Sequence, residues 1–236
     1  MNLDLLAIAA HPDDVELTCG GTLLKMAQAG YKTGILDLTA GEMGTLGTPE
    51  SRAREAAAAA KILKVKYRRT LGVPDSDVQA SRAHKLRLAA VIRELRPRTV
   101  IIPYWEARHP DHYNASTLCY EGCFLAGLKQ LPIAGEPFRP HKILYSTAFT
   151  TARPTFVVDI TAQFPLRHKA IRAFHSQFAG TNRKRKVFLA IDRLEDEMNQ
   201  LARHYGEMIG VRYGEPFLQK EMMKVNDVVE MEVRSI

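Results

Sequence analysis

The chain has 236 residues, 46% of them hydrophobic and 25% charged, and 33 Lys and Arg against 26 Asp and Glu give a formal charge of +7. This composition is too apolar for a disordered chain, and no uninterrupted apolar run reaches the roughly 18 residues a membrane span needs. Three cysteines build no disulfide framework and suit a reducing compartment, while the basic excess permits nucleic acid, anionic lipid or an acidic small molecule as partner.

The opening stretch MNLDLLAIAAHPDD has no basic segment ahead of its short apolar run, so residues 3–9 read as a buried strand rather than a signal peptide, and a cytoplasmic location is expected. Residues 15–29 read as a helix closed at Gly30. A second strand follows at 32–38, then an Ala-rich helix at 51–63. A strand at 67–71, a helix at 86–95 ended by Pro97, the apolar strand 99–103 and a helix at 114–128 continue the alternation. Residues 142–145 and 155–158 read as further strands, 161–174 and 192–209 as helices, and VRYGEPF near the end as a Gly- and Pro-containing connection. The order implies an α/β fold: a Rossmann-like, doubly wound, mostly parallel sheet with helices on both faces and extra carboxyl-terminal strands and a helix. One domain over residues 1–236 is expected, with no repeat and no linker.

Two polar turns stand out. His11-Pro12-Asp13-Asp14 follows the first strand, and Arg108-His109-Pro110-Asp111-His112 follows the fourth. In a sheet of order 3-2-1-4 those strands are neighbours, and the crevice at their carboxyl ends is the usual ligand site. Imidazoles and carboxylates together form a common zinc ligand set, and a catalytic zinc takes three protein ligands. His11, Asp14 and His112 are the candidate ligands, with Asp13 beside the attacking water. A proline after each histidine biases that histidine toward extended backbone and suits the first turn of a helix. A dinucleotide site is excluded on the same loop, because AAHPDD lacks the G-x-G-x-x-G fingerprint. Asp37, which mimics a ribose-binding acid, then reads as a solvated or polar-network residue.

AHPDDVELTCGGTL together with RHPDH resembles the LmbE-like (PIG-L) family of zinc-dependent N-acetylglucosaminide deacetylases. DLTAGEMGTLGTPESRAREAAAAAKIL, GVPDSDV, PYWEARHPDH, HSQF and IGVRYGEPF are similar to its bacillithiol-biosynthesis branch, which acts on N-acetylglucosaminyl-malate. The resemblance implies zinc, or another divalent transition metal, on His11, Asp14 and His112, with Asp13 as general base. It implies His109 as the histidine that assists the transition state, Asp111 as the acid that orients it, and Arg52 and Arg108 as substrate-binding residues. It also implies a homo-oligomer. His175 departs from the branch, which often has an aromatic residue there.

On chemical grounds the two arginines suit malate carboxylates, although Arg52 has Glu55 three residues on as a helix partner. Asp75 and Glu42 are candidate sugar ligands, and both also suit ordinary loop chemistry. Cys119 and Cys123 share a helix face and read as buried small hydrophobes rather than a zinc pair. Trp105 either walls the pocket or packs. A small, anionic glycoside is the expected substrate; the alternative is another GlcNAc derivative, such as a chitooligosaccharide or an antibiotic precursor. A nucleic-acid module is the reading from a different class, but no helix-turn-helix, RRM or zinc-finger pattern is present, so neither nucleic acid nor membrane is expected as partner. Seven basic residues and no acid fall between positions 165 and 186 (Arg167, Lys169, Arg172, Arg183, Lys184, Arg185 and Lys186), which locates the charge surplus in one segment that draws in an anion or is plain surface.

Overall fold

A computed structural model describes residues 1–147, 150, 152–178 and 191–233. Strands β1 (Leu5–Ala9), β2 (Thr33–Asp37), β3 (Tyr67–Thr70), β4 (Thr99–Pro103), β5 (Lys142–Ser146), β6 (Phe156–Asp159) and β7 (Gly214–Leu218) form one sheet, ordered β3-β2-β1-β4-β5-β7-β6. The first five run parallel, and β7 is antiparallel to both β5 and β6. The helices are α1 (Asp14–Thr18), α2 (Gly20–Gln28), α3 (Pro49–Ile62), α4 (Arg82–Leu95), α5 (Pro110–Ala126), α6 (Phe164–Arg172), α7 (His175–Phe178) and α8 (Ile191–Glu207). None of the described helices is long and apolar enough to cross a membrane.

The alternation of side chains along a strand divides the core in two. Leu6 and Ile8 of β1 face a cluster built with Leu88 and Ile92 of α4 and Leu118 and Cys119 of α5. Leu5, Ala7 and Ala9 face the other side, against Leu23 and Leu24 of α2, Ala56 and Ala59 of α3, and Ala170 of α6. The doubly wound α/β sheet expected from the alternation is therefore present. Cys19, Cys119 and Cys123 are free and buried in these clusters, and Trp105 packs edge-on against Tyr145. Asp37 belongs to a buried network: Arg68 donates to both of its oxygens, at 2.8 and 3.0 Å, and to Glu16 Oε1 at 2.5 Å.

Two of the departures from expectation meet at one residue. The single helix expected over 15–29 is broken at Cys19, whose φ and ψ are −145° and 18°. The expected GEPF connection is instead the buried strand β7. Glu215 of β7 accepts from the Gly21 and Thr22 N–H groups at 2.8 and 2.7 Å and from the Thr22 hydroxyl at 2.6 Å. It thus satisfies donors that a helix amino terminus leaves without intrahelical partners, so a new helix begins there. Pro216 is tolerated because the β5 ladder on β7 covers only Leu218 and Phe217.

The basic segment is also partly engaged inside the fold. Arg167 is 4% exposed and pairs with Glu215 at 3.1 Å, and Arg172 pairs with Glu195. Arg183, Lys184, Arg185 and Lys186 lie outside the described residues. Removing the Glu215 carboxylate leaves Arg167 as a buried cation without its carboxylate, so Glu215→Ala should cost about 3–5 kcal/mol in urea unfolding. A loss below about 1 kcal/mol would show that the β7–α2 junction does not depend on this pair.

Candidate metal centre and active site

β1 and β4 pair in parallel, with Leu5, Leu6 and Ala7 opposite Thr99, Val100 and Ile101, so the turns that follow them emerge side by side. In the first turn the His11 N–H donates to Asp14 Oδ2 at 2.9 Å, and the Asp14 N–H donates to the His11 carbonyl at 3.3 Å. Asp13, at the start of α1, has φ 112°, a left-handed backbone that costs a non-glycine residue about 1–3 kcal/mol. Arg52 holds it there. Its Nη2 donates to the Pro12 carbonyl at 3.1 Å and to Asp13 Oδ2 at 3.2 Å, and its Nη1 donates to the Gly41 carbonyl at 2.9 Å. Gly41 has φ +68°, and a Cβ there would fall 1.8 Å from Arg52 Nη1, so the AGEMGT loop needs glycine for this approach. Arg52, expected at the substrate, is instead 5% exposed and bound to the turn. Glu55, its alternative partner, accepts from the Ser176 N–H and hydroxyl, both at 2.7 Å.

The second turn brings its histidine onto the first. His112 Nε2 lies 3.2 Å from Asp14 Oδ2 and 3.3 Å from His11 Nδ1, and His11 Nδ1 lies 3.4 Å from Asp14 Oδ2. Three donors in a triangle of such edges match a tetrahedral ion with bonds of about 2.0–2.2 Å, whose donor–donor edges are about 3.4 Å. His11, His109 and Asp111 form a second group of donor atoms within 4.8 Å of one another. His11 Nε2, however, already lies 3.0 Å from Asp75 Oδ1 and 3.3 Å from Asp111 Oδ2. An imidazole whose one nitrogen donates to carboxylates presents the other to a cation; this favours the His11, Asp14 and His112 set. Two imidazoles and one carboxylate suit zinc and also iron or cobalt.

Asp75, expected at a sugar, and Asp111, expected to orient His109, both reach His11 Nε2. Asp75 Oδ2 accepts from the Met43 N–H at 2.9 Å, and Asp111 accepts from the Ser76 and Val78 N–H groups at 2.9 and 3.3 Å. Glu42, the other expected sugar ligand, accepts from the Asp75 N–H at 2.7 Å and ties the two loops together. Asp111 meets His109 through its backbone, whose N–H donates to His109 Nδ1 at 3.2 Å. Arg108 stands exposed at the start of α5.

The electrostatics follow from this crowding. Burial disfavours an imidazolium at His11, but hydrogen bonds to Asp111, Asp14 and Asp75 outweigh it and push the pKa up to about 12. Burial and the neighbouring Asp14 carboxylate raise Asp13 to about 7, against the attraction of Arg52 and His11. Burial and the adjacent His112 and His11 lower His109, and Asp111 only partly opposes them. With Nδ1 accepting from the Asp111 N–H, a neutral His109 ring carries its proton on Nε2.

A cleft lined by Asp14, His112, Tyr104, Glu106, Thr147 and Thr150, among others, opens beside the donors. Glu106 and Tyr104 went unread in the sequence because nothing in PYWEA has a ligand spacing; their one signal is adjacency to the second motif.

Residues 6–122 match the family model described as PIG-L: GlcNAc-PI de-N-acetylase. The diacetylchitobiose deacetylase of Thermococcus kodakarensis is 32% identical over 225 residues, covering 89% of this chain and 80% of that protein. The probable N-acetyl-alpha-D-glucosaminyl L-malate deacetylase 2 of Bacillus anthracis is 28% identical over 194 residues, covering 74% of this chain and 81% of that protein. Among solved structures, the conserved protein TT1542 from Thermus thermophilus superimposes with a TM-score of 0.87 at 40% identity, covering 95% of this chain and 98% of that one.

Metal binding is measurable as stability. With zinc about 100-fold above its Kd, the native protein should gain about 2.7 kcal/mol in thermal or urea unfolding. The His112→Ala variant should gain none at the same concentration, and an equal gain in both would mean that the ion binds elsewhere.

Proposed function

The chain belongs to the PIG-L de-N-acetylase family, and we propose that it is a metal-dependent hydrolase that removes the acetyl group from a small N-acetylglucosaminide, releasing acetate and a free 2-amino sugar. The observation that carries this reading is the triangle of His11, Asp14 and His112 donors, with Asp13 held beside it by Arg52.

His11, Asp14 and His112 would hold a divalent metal, which would supply Lewis acidity and lower the pKa of a water toward about 7. Asp13 takes the proton of the attacking water and later returns a proton to the amide nitrogen, so that the amine leaves neutral. Its pKa of about 7 without a cation matches that double duty, since a base near neutrality both accepts and releases protons. Arg52 fixes the Asp13 carboxylate, leaving its other oxygen for the proton. His109 donates from Nε2 to the developing oxyanion; a preorganised donor of this kind is worth about 3–4 kcal/mol. Asp75 and Asp111 hold the proton on His11 Nε2 and so leave Nδ1 as the atom that would bind a metal.

The aglycone has two forms under this reading. N-acetylglucosaminyl-malate is expected from the motif resemblance, and a chitobiose-type saccharide corresponds to the substrate in the Thermococcus relative's name. Free-amine release from diacetylchitobiose, N-acetylglucosaminyl-malate and free GlcNAc tests the reading, and release from none of them would overturn it.

Replacing Asp13 with Asn should lower kcat by about 10²–10⁴-fold while metal content per chain stays unchanged. Turnover requires ionised Asp13, so the native enzyme should gain activity as pH rises through an acid limb. Because a bound dication further favours the carboxylate, that limb lies at or below the value of about 7 set by burial and Asp14. Persistence of the same limb in Asp13→Asn would assign the base to another group.

A further inference from the structure

A lysine from the end of β7 stands among three aromatic rings beside the cleft. Lys220 lies two residues beyond Leu218, which enters the same core cluster as Tyr145, and the alternation along a strand carries Lys220 to that face. The Gln219 N–H donates to the Thr155 hydroxyl at 3.1 Å and holds the chain in line. The Lys220 Nζ sits 4.8 Å from the centre of the Trp105 ring, 4.9 Å from that of Tyr120 and 5.1 Å from that of Tyr145. A cation at such distances is attracted by the quadrupole of each ring. Trp105 is in turn the half-buried anchor of the loop between β4 and α5, in which Glu106, Arg108 and His109 are exposed. Its ring lies 4.5 Å from that of Tyr104 and 4.7 Å from that of Tyr145. Its two chain neighbours, Tyr104 and Glu106, both line the cleft next to Asp14 and His112.

We infer that Lys220 is a positioning residue for the substrate cleft: its ammonium holds the Trp105 ring, and the fixed ring keeps the Tyr104–Glu106 wall in the conformation that receives the N-acetylglucosaminide. The inference rests on the deacetylase reading of the adjacent site. Tyr145 is 1% exposed within β5 and forms the back of the cage, while Lys220 and the exposed Tyr120 of α5 close it on the solvent side. Without the cation, Trp105 keeps its edge contact with Tyr145 but loses the group that fixes it. The wall would then be ordered only when substrate binds, and affinity falls by that ordering cost. His109 and His112 have separate supports, the Asp111 N–H bond and helix α5, so the effect belongs to binding rather than to the chemical step.

Two variants of the metal-loaded chain test this. Lys220→Met removes the charge at nearly the same length, and Lys220→Arg restores a cation that stacks on aromatic rings. Trp105 is the only tryptophan of the chain, so its fluorescence anisotropy reads this loop alone. In Lys220→Met the anisotropy should fall. The KM for the better substrate of diacetylchitobiose and N-acetylglucosaminyl-malate should rise about two- to fivefold, the range of a cation–π contact, with kcat and the zinc Kd unchanged. The Kd of its deacetylated product, measured by calorimetry, should rise by the same factor, and Lys220→Arg should return all three altered values toward the native ones. Unchanged KM and product Kd, with or without a change in anisotropy, would overturn the inference, as would a rise that Lys220→Arg fails to reverse. A native chain that neither cleaves these sugars nor binds their products would overturn the deacetylase reading itself, and the inference with it.

Discussion

The parallel ladder between β1 and β4 is the constraint on which the site depends. Three backbone pairs, from Leu5 with Thr99 to Ala7 with Ile101, bring two turns separated by 101 residues to a 3.3 Å approach between His11 Nδ1 and His112 Nε2. The apolar side chains of both strands are buried on the two faces of the sheet, so the ladder has no freedom to slip. A shift of one residue would exchange the two core faces. The cost of gathering several carboxylates in one crevice is thus carried by a part of the molecule remote from the chemistry.

Acidic side chains organise most of what surrounds the centre. Asp75 and Asp111 fix His11, Glu42 fixes the Asp75 loop, and Glu55 fastens the Ser176 turn. Glu215 joins the last strand to the second helix, and Glu16 and Asp37 share Arg68. Most of these groups accept backbone N–H bonds or meet a guanidinium, the arrangement in which a buried charge is tolerated. The chain therefore uses many of its charges internally, and its formal surplus says little about the potential that a ligand meets.

The sequence made the centre legible because its motifs are local and sit at strand ends. HPDD and HPDH each end an apolar run, and the βα alternation alone makes those runs neighbours. The roles of single supporting residues were not legible, because they depend on partners distant in sequence. Arg52 carries a charge suited to a substrate carboxylate, but a buried glycine loop and a strained turn claim it. Asp75 lies in a typical turn sequence, and only the fold shows that His11 lies against it. β7 was hidden for a similar reason: GEPFL has poor strand propensity, and tertiary pairing with β5 and β6 overrides it. The break between α1 and α2 is invisible without Glu215, which arrives from 194 residues away.

The backbone at Asp13 sets a strained conformation against an ion pair at a single position. Its φ of 112° is one that glycine adopts without steric penalty. A glycine there would relax the turn, but it would also leave the buried Arg52 without the Asp13 carboxylate. Selection for thermal robustness alone would therefore not clear the strain from this turn, because relieving it gives up the ion pair that holds Arg52 against the first loop.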